Sequence, residues 1–256
     1  MISLQKAHFG KRIAAAIFDG ILVVILATGL LALFATAFNT DKYFETADAA
    51  RSKYAAEYGV NLELSKEEYD AFTDEQKDEY KKAVNAAEKA FSEDKDAVFA
   101  HSMYMRLSLI GPTVSILVSI IAMEFVVPLM FGNGQTLGKK IFGIALMHIE
   151  GIKVSKVQLF VRAVLGKFAL EVMLLVYVLI MLLLRLSVGV IIFIPPIILI
   201  VEIICLVITK TNAVIHDVLA KTVAVDMASQ RIFDSHEELI EYTKKIHAEQ
   251  ANKPMY

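Results

Sequence analysis

Apolar residues are grouped along the chain into four long blocks. The first, Gly20–Thr40, contains no charged residue over about 20 positions, which is enough for one membrane-spanning helix. The other blocks cover residues 107–131, 163–184 and 186–209, and only Arg185 separates the last two. Because these two are together too long for one helix, we predict a tight helical hairpin. The pattern predicts an all-α polytopic membrane protein with four transmembrane helices.

The first block has some features of a cleavable signal peptide. Lys6, Lys11 and Arg12 precede it, and "ATA" at Ala35–Ala37 resembles a cleavage site. Its apolar core is longer than the 7–15 residues typical of a signal peptide. We therefore predict a retained helix. In the last block we expect Pro195 and Pro196 to kink the helix, because proline lacks an amide donor.

Positive charge between the second and third blocks predicts the topology. The loop 132–162 has five basic residues against one acidic residue, Glu150. Basic loops stay in the cytoplasm, so this loop and the basic N-terminus (within 1–40) are predicted to be cytoplasmic. With an even number of spans, the C-terminal segment 210–256 is predicted to be cytoplasmic as well.

The segment 41–106 is then predicted to be an extracytoplasmic insert. It has sixteen acidic residues against ten basic ones, a net charge of −6. Two capping-box patterns, Ser65 with Glu68 and Thr73 with Gln76, predict helix starts and a short helical hairpin. Its acidic face has two interpretations, a solvated helical surface or a site for cations or a partner.

The cytoplasmic loops contain two short β-prone runs. These are "KKIFGIALMHIEGIKVSK" and "KTVAVDM", and we expect them to pair as a small β-element at the membrane surface. Residues 157–165 are predicted to form an interfacial helix leading into the third span. The tail "SHEELIEYTKKIHAEQ" is predicted to be an amphipathic helix.

Composition narrows the function classes. Hydrophobic residues make up 56% of the chain, and the net charge of −2 provides no general basic field for nucleic acid. The single cysteine, Cys205, excludes a disulfide within the chain and cysteine-rich metal or redox motifs. We predict no cofactor and no metal centre.

Three motifs in order, "RIAAAIFDG", "GQTLGKKIFGIALM" and "NAVIHDVLAKTVAVD", resemble the RDD family of membrane proteins. The family is named for one arginine and two aspartates, which match Arg12, Asp19 and Asp217 by position. The resemblance covers residues 6–40 and 107–227, outside the insert. The resemblance implies a multi-pass protein of the bacterial plasma (inner) membrane. Most members have no assigned activity, and some have been proposed as Na⁺(Li⁺, K⁺)/H⁺ antiporters, which implies Na⁺, Li⁺, K⁺ or H⁺ as partners beside the lipid bilayer.

Each predicted span has one carboxylate on its cytoplasmic side. Glu171 and Glu202 lie too far from the span ends to leave the membrane. Glu124, with seventeen uncharged residues before it, is a marginal case that we expect to lie inside, and Asp19 lies near the edge of the first span. An ionisable group at mid-span costs about 2.5–3.5 kcal/mol on insertion scales, so such groups usually face partners inside the bundle. We therefore predict a layer of four carboxylates as candidate ion- or proton-coupling residues.

The basic residues near this layer are its predicted charge partners. Lys167 lies one turn from Glu171 and is expected to neutralise it, while Glu124 and Glu202 have no basic neighbour on their own helices and are the best ion-binding candidates. Three more basic residues are placed to reach the layer from its cytoplasmic rim: Arg12, Lys139 and Lys140. The layer has two interpretations, paired structural charges or the coupling site of a cation carrier.

Arg12 and Asp19 share one helix face about 10 Å apart, too far for direct contact. We expect Arg12 to pair with Asp217 or lipid phosphate, and Asp19 to face the other helices. The His216–Asp217 pair lacks the second ligand of a metal motif, and "GNGQTLGKK" suits a turn better than a phosphate loop. No enzymatic activity is predicted. The alternatives are a small transporter or a membrane scaffold or assembly factor. Because four spans make a small carrier, we expect a transporter of this size to be a homo-oligomer.

Overall fold

The computed structural model describes residues 4–183 and 189–251. The chain is mostly helical, at 75%. Its residues form two compact units, one comprising residues up to Gly29 and from Thr113 onward, the other Leu30–Pro112. The candidate site residues Arg12, Asp19, Glu124, Glu171, Glu202 and Asp217 all belong to the first unit.

The described helices follow one another in this order: α1 (Phe9–Ala37), α2 (Thr40–Glu57), α3 (Lys66–Asp70), α4 (Asp74–Glu93), α5 (Lys95–Phe131), α6 (Leu137–Ile141), α7 (Lys156–Leu183), α8 (Ile194–Ile208), α9 (Ile215–Ala220) and α10 (His236–Ala251). Two strands, β1 (Ile144–His148) and β2 (Thr222–Asp226), lie between them. The prediction of a helical chain with a small β-element is confirmed.

Three of these helices, α1, α5 and α7, are long and apolar enough to cross a membrane. The fourth apolar block forms α8, which has 15 residues and follows a 3₁₀ turn at Gly189–Phe193. A full span needs about 20 residues, so α8 alone is short for one. The predicted turn at Arg185 lies outside the described residues.

The prediction for the two adjacent prolines was wrong. Pro195 and Pro196 occupy the first turn of α8 instead of kinking its middle. An amide in the first turn has no partner within the helix, so its absence there has no cost, and the fixed φ of proline favours the helical start.

Both α5 and α7 contain π-helical stretches that alter which side chains align. In α5 the stretch is Ile121–Val126, just before Pro128, which has no amide to donate to the carbonyl of Glu124. In α7 the stretch is Val161–Met173. A π-helix bonds each residue to the fifth one along the chain, so Arg162 and Lys167 are brought onto one face.

The sheet joins three separate segments of the chain. Strands β1 and β2 are antiparallel, with Ile144 opposite Asp226 and His148 opposite Thr222, which confirms the predicted pairing. The N-terminal segment runs along the other edge of β2, where Ala7 donates to the carbonyl of Ala224. One face of the sheet is buried against a cluster formed by the following residues: Ala7, Ala15, Ile144, Leu146, Leu159 and Ala224.

In the Leu30–Pro112 unit, α3 and α4 begin at the two predicted capping boxes. Ser65 and Glu68 exchange side-chain and backbone hydrogen bonds at the start of α3, and Thr73 and Gln76 do so at the start of α4. Both predictions are confirmed.

Two helices of the other unit were also predicted. The predicted amphipathic tail is helical, as α10, and the predicted interfacial helix is the first part of α7.

Candidate functional site

Asp19 fastens α1 to the segment that follows α5. Its Oδ1 accepts from the amide of Gly138 at 2.8 Å and its Oδ2 accepts from Thr136 Oγ1 at 2.5 Å. Thr136 caps α6 by accepting from the Lys139 amide at 3.3 Å. Asp19 is 2% exposed, so the prediction that it faces other elements of the protein is confirmed. Its partners are neutral donors of "GQTLGKK".

The glycine in this motif permits the close approach. A Cβ at Gly138 would lie 2.5 Å from the carbonyl oxygen of Ala15. Any other residue would therefore clash with the α1 backbone and push it away, whereas glycine has no Cβ. The motif, for which a turn was predicted, is therefore a bend followed by the short helix α6, which docks on α1.

Glu124 lies between two lysines from other elements. Its Oε1 accepts a short hydrogen bond from Lys167 Nζ on α7, and its Oε2 lies 3.8 Å from Lys139 Nζ on α6. The prediction that Lys167 neutralises Glu171 was wrong, because the π-helical winding of α7 takes i and i+4 residues out of alignment. Glu124 has no basic neighbour on its own helix, but it is paired with two lysines from elements that are distant in sequence.

The two adjacent lysines of α6 have different surroundings. Lys139 is directed to Glu124, as predicted for a residue reaching from the rim. Burial and the nearby Arg162 lower the pKa of Lys139 to about 8, although Glu124 opposes this shift. Lys140 does not reach the carboxylates and instead lies 3.8 Å from the ring centre of Phe131, a cation–π contact that corrects the prediction.

Asp217 is almost completely enclosed, at 1% exposure. Its Oδ1 accepts from Arg162 Nε at 2.9 Å and from Thr222 Oγ1 at 3.1 Å, and its Oδ2 lies 3.5 Å from Arg12 Nη2. The predicted pairing with Arg12 is confirmed, and Arg12 also donates to the carbonyl of Asn212 at 2.7 Å. Burial raises the pKa of Asp217, but Arg162, His216 and Arg12 together lower it to about 2.

Arg162 is the functional residue that the sequence analysis missed. It was counted only as one of five basic loop residues, but it is 7% exposed and contacts both Asp217 and His216. One feature of the sequence could have indicated the role of Arg162. Arg162 directly precedes the third apolar block, so its side chain needs a buried acidic partner if the helix begins earlier than the block.

His216 connects Arg162 to a second acidic group. Its Nε2 lies 2.6 Å from Arg162 Nη2, and its Nδ1 lies 2.7 and 2.8 Å from the two oxygens of Glu171. A guanidinium only donates, so Nε2 accepts, and Nδ1 carries the proton and donates to Glu171. The imidazole is therefore neutral, and burial and Arg162 accordingly lower the pKa of His216.

The short distance between α7 and α9 depends on a second glycine. A Cβ at Gly166 would lie 2.5 Å from the Cβ and 2.7 Å from the Cα of His216. The backbone amide of His216 also donates to Glu171 Oε1 at 3.0 Å. Glu171 thus accepts two N–H bonds from one residue that is held in place by this contact.

Glu171 and Glu202 lie beside each other because they accept from consecutive backbone amides. Glu171 Oε1 accepts from the His216 amide at 3.0 Å and Glu202 Oε2 accepts from the Ile215 amide at 3.3 Å. Within residues 4–183 and 189–251, neither carboxyl group forms an ion pair with a lysine or an arginine. Over the same residues, no group of three or more His, Cys, Asp or Glu side chains has the arrangement of a metal site.

The predicted layer is therefore divided into three groups. Asp19 is held by neutral donors, and Glu124 is neutralised by two lysines. Glu171 and Glu202 lie side by side at the start of α9.

The model of the RDD family matches residues 6–221. This confirms the resemblance drawn from the three motifs, and the matched range also includes the 41–106 segment that the motifs leave out. No curated protein and no solved structure shows a significant match to the chain. The family match and the three long apolar helices are those of a multi-pass integral membrane protein.

Proposed function

As the chain belongs to the RDD family, we propose that this integral membrane protein is a small carrier that exchanges protons for monovalent cations at Glu171 and Glu202. The observation that carries the proposal is that these two carboxyl groups accept from consecutive amides at the start of α9, without a lysine or arginine to neutralise them among the described residues. Such a pair changes its charge when a proton leaves.

The chemistry follows from this proximity. An ionised carboxylate only accepts hydrogen bonds, so two adjacent carboxyl groups bond to each other only when they share one proton. When that proton leaves, both are charged and repel each other in surroundings that stabilise charge poorly. A cation with a preference for oxygen ligands relieves this repulsion. Competition of H⁺ with Na⁺, Li⁺ or K⁺ for one pair is the basis of exchange.

Four membrane spans are part of the proposal. In this arrangement α8 and the residues before it form the fourth span, the insert 41–106 is extracytoplasmic, and both termini face the cytoplasm. The basic excess of the 132–162 loop supports it. The test starts from Cys205→Ser, to which Asn85→Cys or Ala228→Cys is added, both at exposed positions. An impermeant maleimide should label only Asn85→Cys on intact bacterial cells, and labelling of only Ala228→Cys would reverse the topology.

Exchange is tested with the purified full chain in liposomes under an imposed pH gradient. Addition of Na⁺, Li⁺ or K⁺ should dissipate the gradient with wild type and fail to do so with Glu171→Gln or Glu202→Gln. Glu63→Gln, an exposed position of the insert, is the matched control and should behave as wild type. If none of the three cations dissipates the gradient, the chain is not an antiporter of these ions.

The alternative is a scaffold or assembly factor. The observation in its favour is that Glu124 and Asp217 are each held by two basic residues, as expected for charges that fasten segments together. Affinity purification from native membranes distinguishes the two functions. A stoichiometric partner together with no exchange in liposomes would support the scaffold, whereas homo-oligomers alone with exchange would support the carrier.

A further inference from the structure

The π-helical stretch of α7 is unusually long. π-Helices occur mostly as single turns within α-helices, whereas Val161–Met173 covers thirteen residues. Because longer stretches of this winding are rare, we attribute this one to contacts with other elements that hold it. The α-helix is therefore a second winding that the same segment can adopt when those contacts are lost.

Docking of α9 supports the π winding at several points. Arg162 Nε donates to Asp217 Oδ1 at 2.9 Å, and Glu171 Oε1 accepts from the His216 amide at 3.0 Å. Between these two contacts lies Gly166, where a Cβ would be 2.5 Å from the Cβ of His216. Glycine is also a poor α-helix former. The winding of α7 and the docking of α9 are therefore coupled.

Lys167 has a different partner in each winding. In the π winding it pairs with Glu124 on α5. In an α winding it would share a helix face with Glu171, four residues further on, at the spacing of an intrahelical ion pair. Glu124 would keep Lys139, whose Nζ lies 3.8 Å from Glu124 Oε2. Rewinding would thus move one positive charge from a carboxylate with two lysines to one without a lysine or arginine partner among the described residues.

We propose that α7 is a two-state switch, independent of the exchange function proposed above. With α9 docked, the stretch is π-helical and Lys167 pairs with Glu124. With α9 released, it is α-helical and Lys167 pairs with Glu171. Glu171 has donors in both states, because the two N–H groups of His216 occupy it in the first and the lysine replaces them in the second. Two arrangements that each satisfy the same buried group are what a bistable element requires.

The two windings differ in length, which can be measured. A π turn contains about one more residue than an α turn at a similar pitch, so rewinding thirteen residues lengthens the segment by roughly 4 Å. In a Cys205→Ser chain, spin labels at Phe160→Cys and Leu175→Cys flank the stretch, both at exposed positions. Labels at Ile17→Cys and Ile25→Cys, exposed positions on the regular α-helix α1, are the matched control pair. Pulsed EPR on the full chain in lipid nanodiscs gives both distances.

Two substitutions should shift α7 to the α winding. Gly166→Ala displaces α9 with its methyl group and favours the α-helix. Glu124→Gln removes the charge that holds Lys167 in the π winding, without adding bulk. Each should add a 160–175 distance roughly 4 Å longer than that of wild type and leave the 17–25 distance unchanged. An unchanged 160–175 distance in Glu124→Gln would overturn the proposal, also when Gly166→Ala does not fold.

The change of partner is tested by double-mutant cycles on Tm, measured by heating in detergent. In the wild-type background, the effect of Lys167→Gln should be non-additive with Glu124→Gln and additive with Glu171→Gln. In the Gly166→Ala background, the non-additivity should move to Glu171→Gln. Coupling that stays with Glu124 in both backgrounds would mean that Lys167 does not change partner, and would overturn the switch.

Discussion

Asp217→Asn tests whether the family-motif charges hold the structure together. The substitution keeps the shape of a side chain that is 1% exposed and removes the charge that faces Arg162 at 2.9 Å and Arg12 at 3.5 Å. Removing one partner of a buried ion pair typically costs about 3–5 kcal/mol, because the remaining charge stays buried without compensation. Here two guanidinium groups lose their carboxylate at once.

The matched control is Asp226→Asn. Asp226 also pairs with a basic residue, Lys11 at 2.8 Å, but the lysine side chain is 47% exposed. Exposed pairs contribute about 0–1 kcal/mol, so this variant should resemble wild type. At about 2–4 °C per kcal/mol, Asp217→Asn should lower Tm by about 10 °C. Tm is measured as the temperature at which heating in detergent abolishes half of the monodisperse peak of the protein. Equal Tm values for the two variants would refute the argument.

The pH dependence gives an independent check with a defined sign. The pKa of Asp217 is lowered from its usual 3.8 to about 2, so its ionised form stabilises the folded protein. This stabilisation is complete above the usual value and is lost as the pH falls from about 4 towards about 2. The difference in Tm between wild type and Asp217→Asn should therefore be constant from neutral pH to about 5 and shrink below it. A difference that grows on acidification would contradict the assignment.

Three further substitutions test local features by the same heating assay. Gly166→Ala places a methyl group 2.5 Å from the Cβ of His216 and should lower stability by about 1–3 kcal/mol, whereas Gly20→Ala, with nothing within 4 Å, should be neutral or slightly stabilising. Thr136→Val removes the donor to Asp19 and the cap of α6 and should cost about 1–3 kcal/mol. Lys221→Gly relieves a left-handed residue at φ 53° and should stabilise by about 1 kcal/mol; a lower Tm would contradict this strain.

Much of the fold could be predicted because it depends on local patterns. Apolar block length predicts α1, α5 and α7, capping boxes predict the starts of α3 and α4, and alternation predicts β1 and β2. Each of these signals lies within a few residues of the element that it defines. The failure at Pro195 and Pro196 has the same origin, because a proline marks a helix start as readily as a kink and only the true boundary distinguishes them.

The site was harder to predict because its pairing is set by elements distant in sequence. Lys167 lies four residues from Glu171, and a regular α-helix would align them, but the π-helical winding of α7 turns Lys167 towards Glu124 on α5. No local sequence signal specified this winding. Arg162 was overlooked for a related reason, since its partners Asp217 and His216 come from α9 and meet it only in the folded chain.

The three residues that name the family therefore have a structural role, distinct from the exchange proposed for Glu171 and Glu202. Asp19 anchors α6, and Arg12 and Asp217 tie α1 to α9, so all three fix the positions of segments that contact Glu124 and His216. Glu171 and Glu202 depend on that framework, because His216 reaches Glu171 only while α9 is held against α7. A motif variant should thus lose exchange together with stability, whereas Glu202→Gln should lose exchange with Tm nearly unchanged. This separation is what a coupling pair within a structural charge network requires.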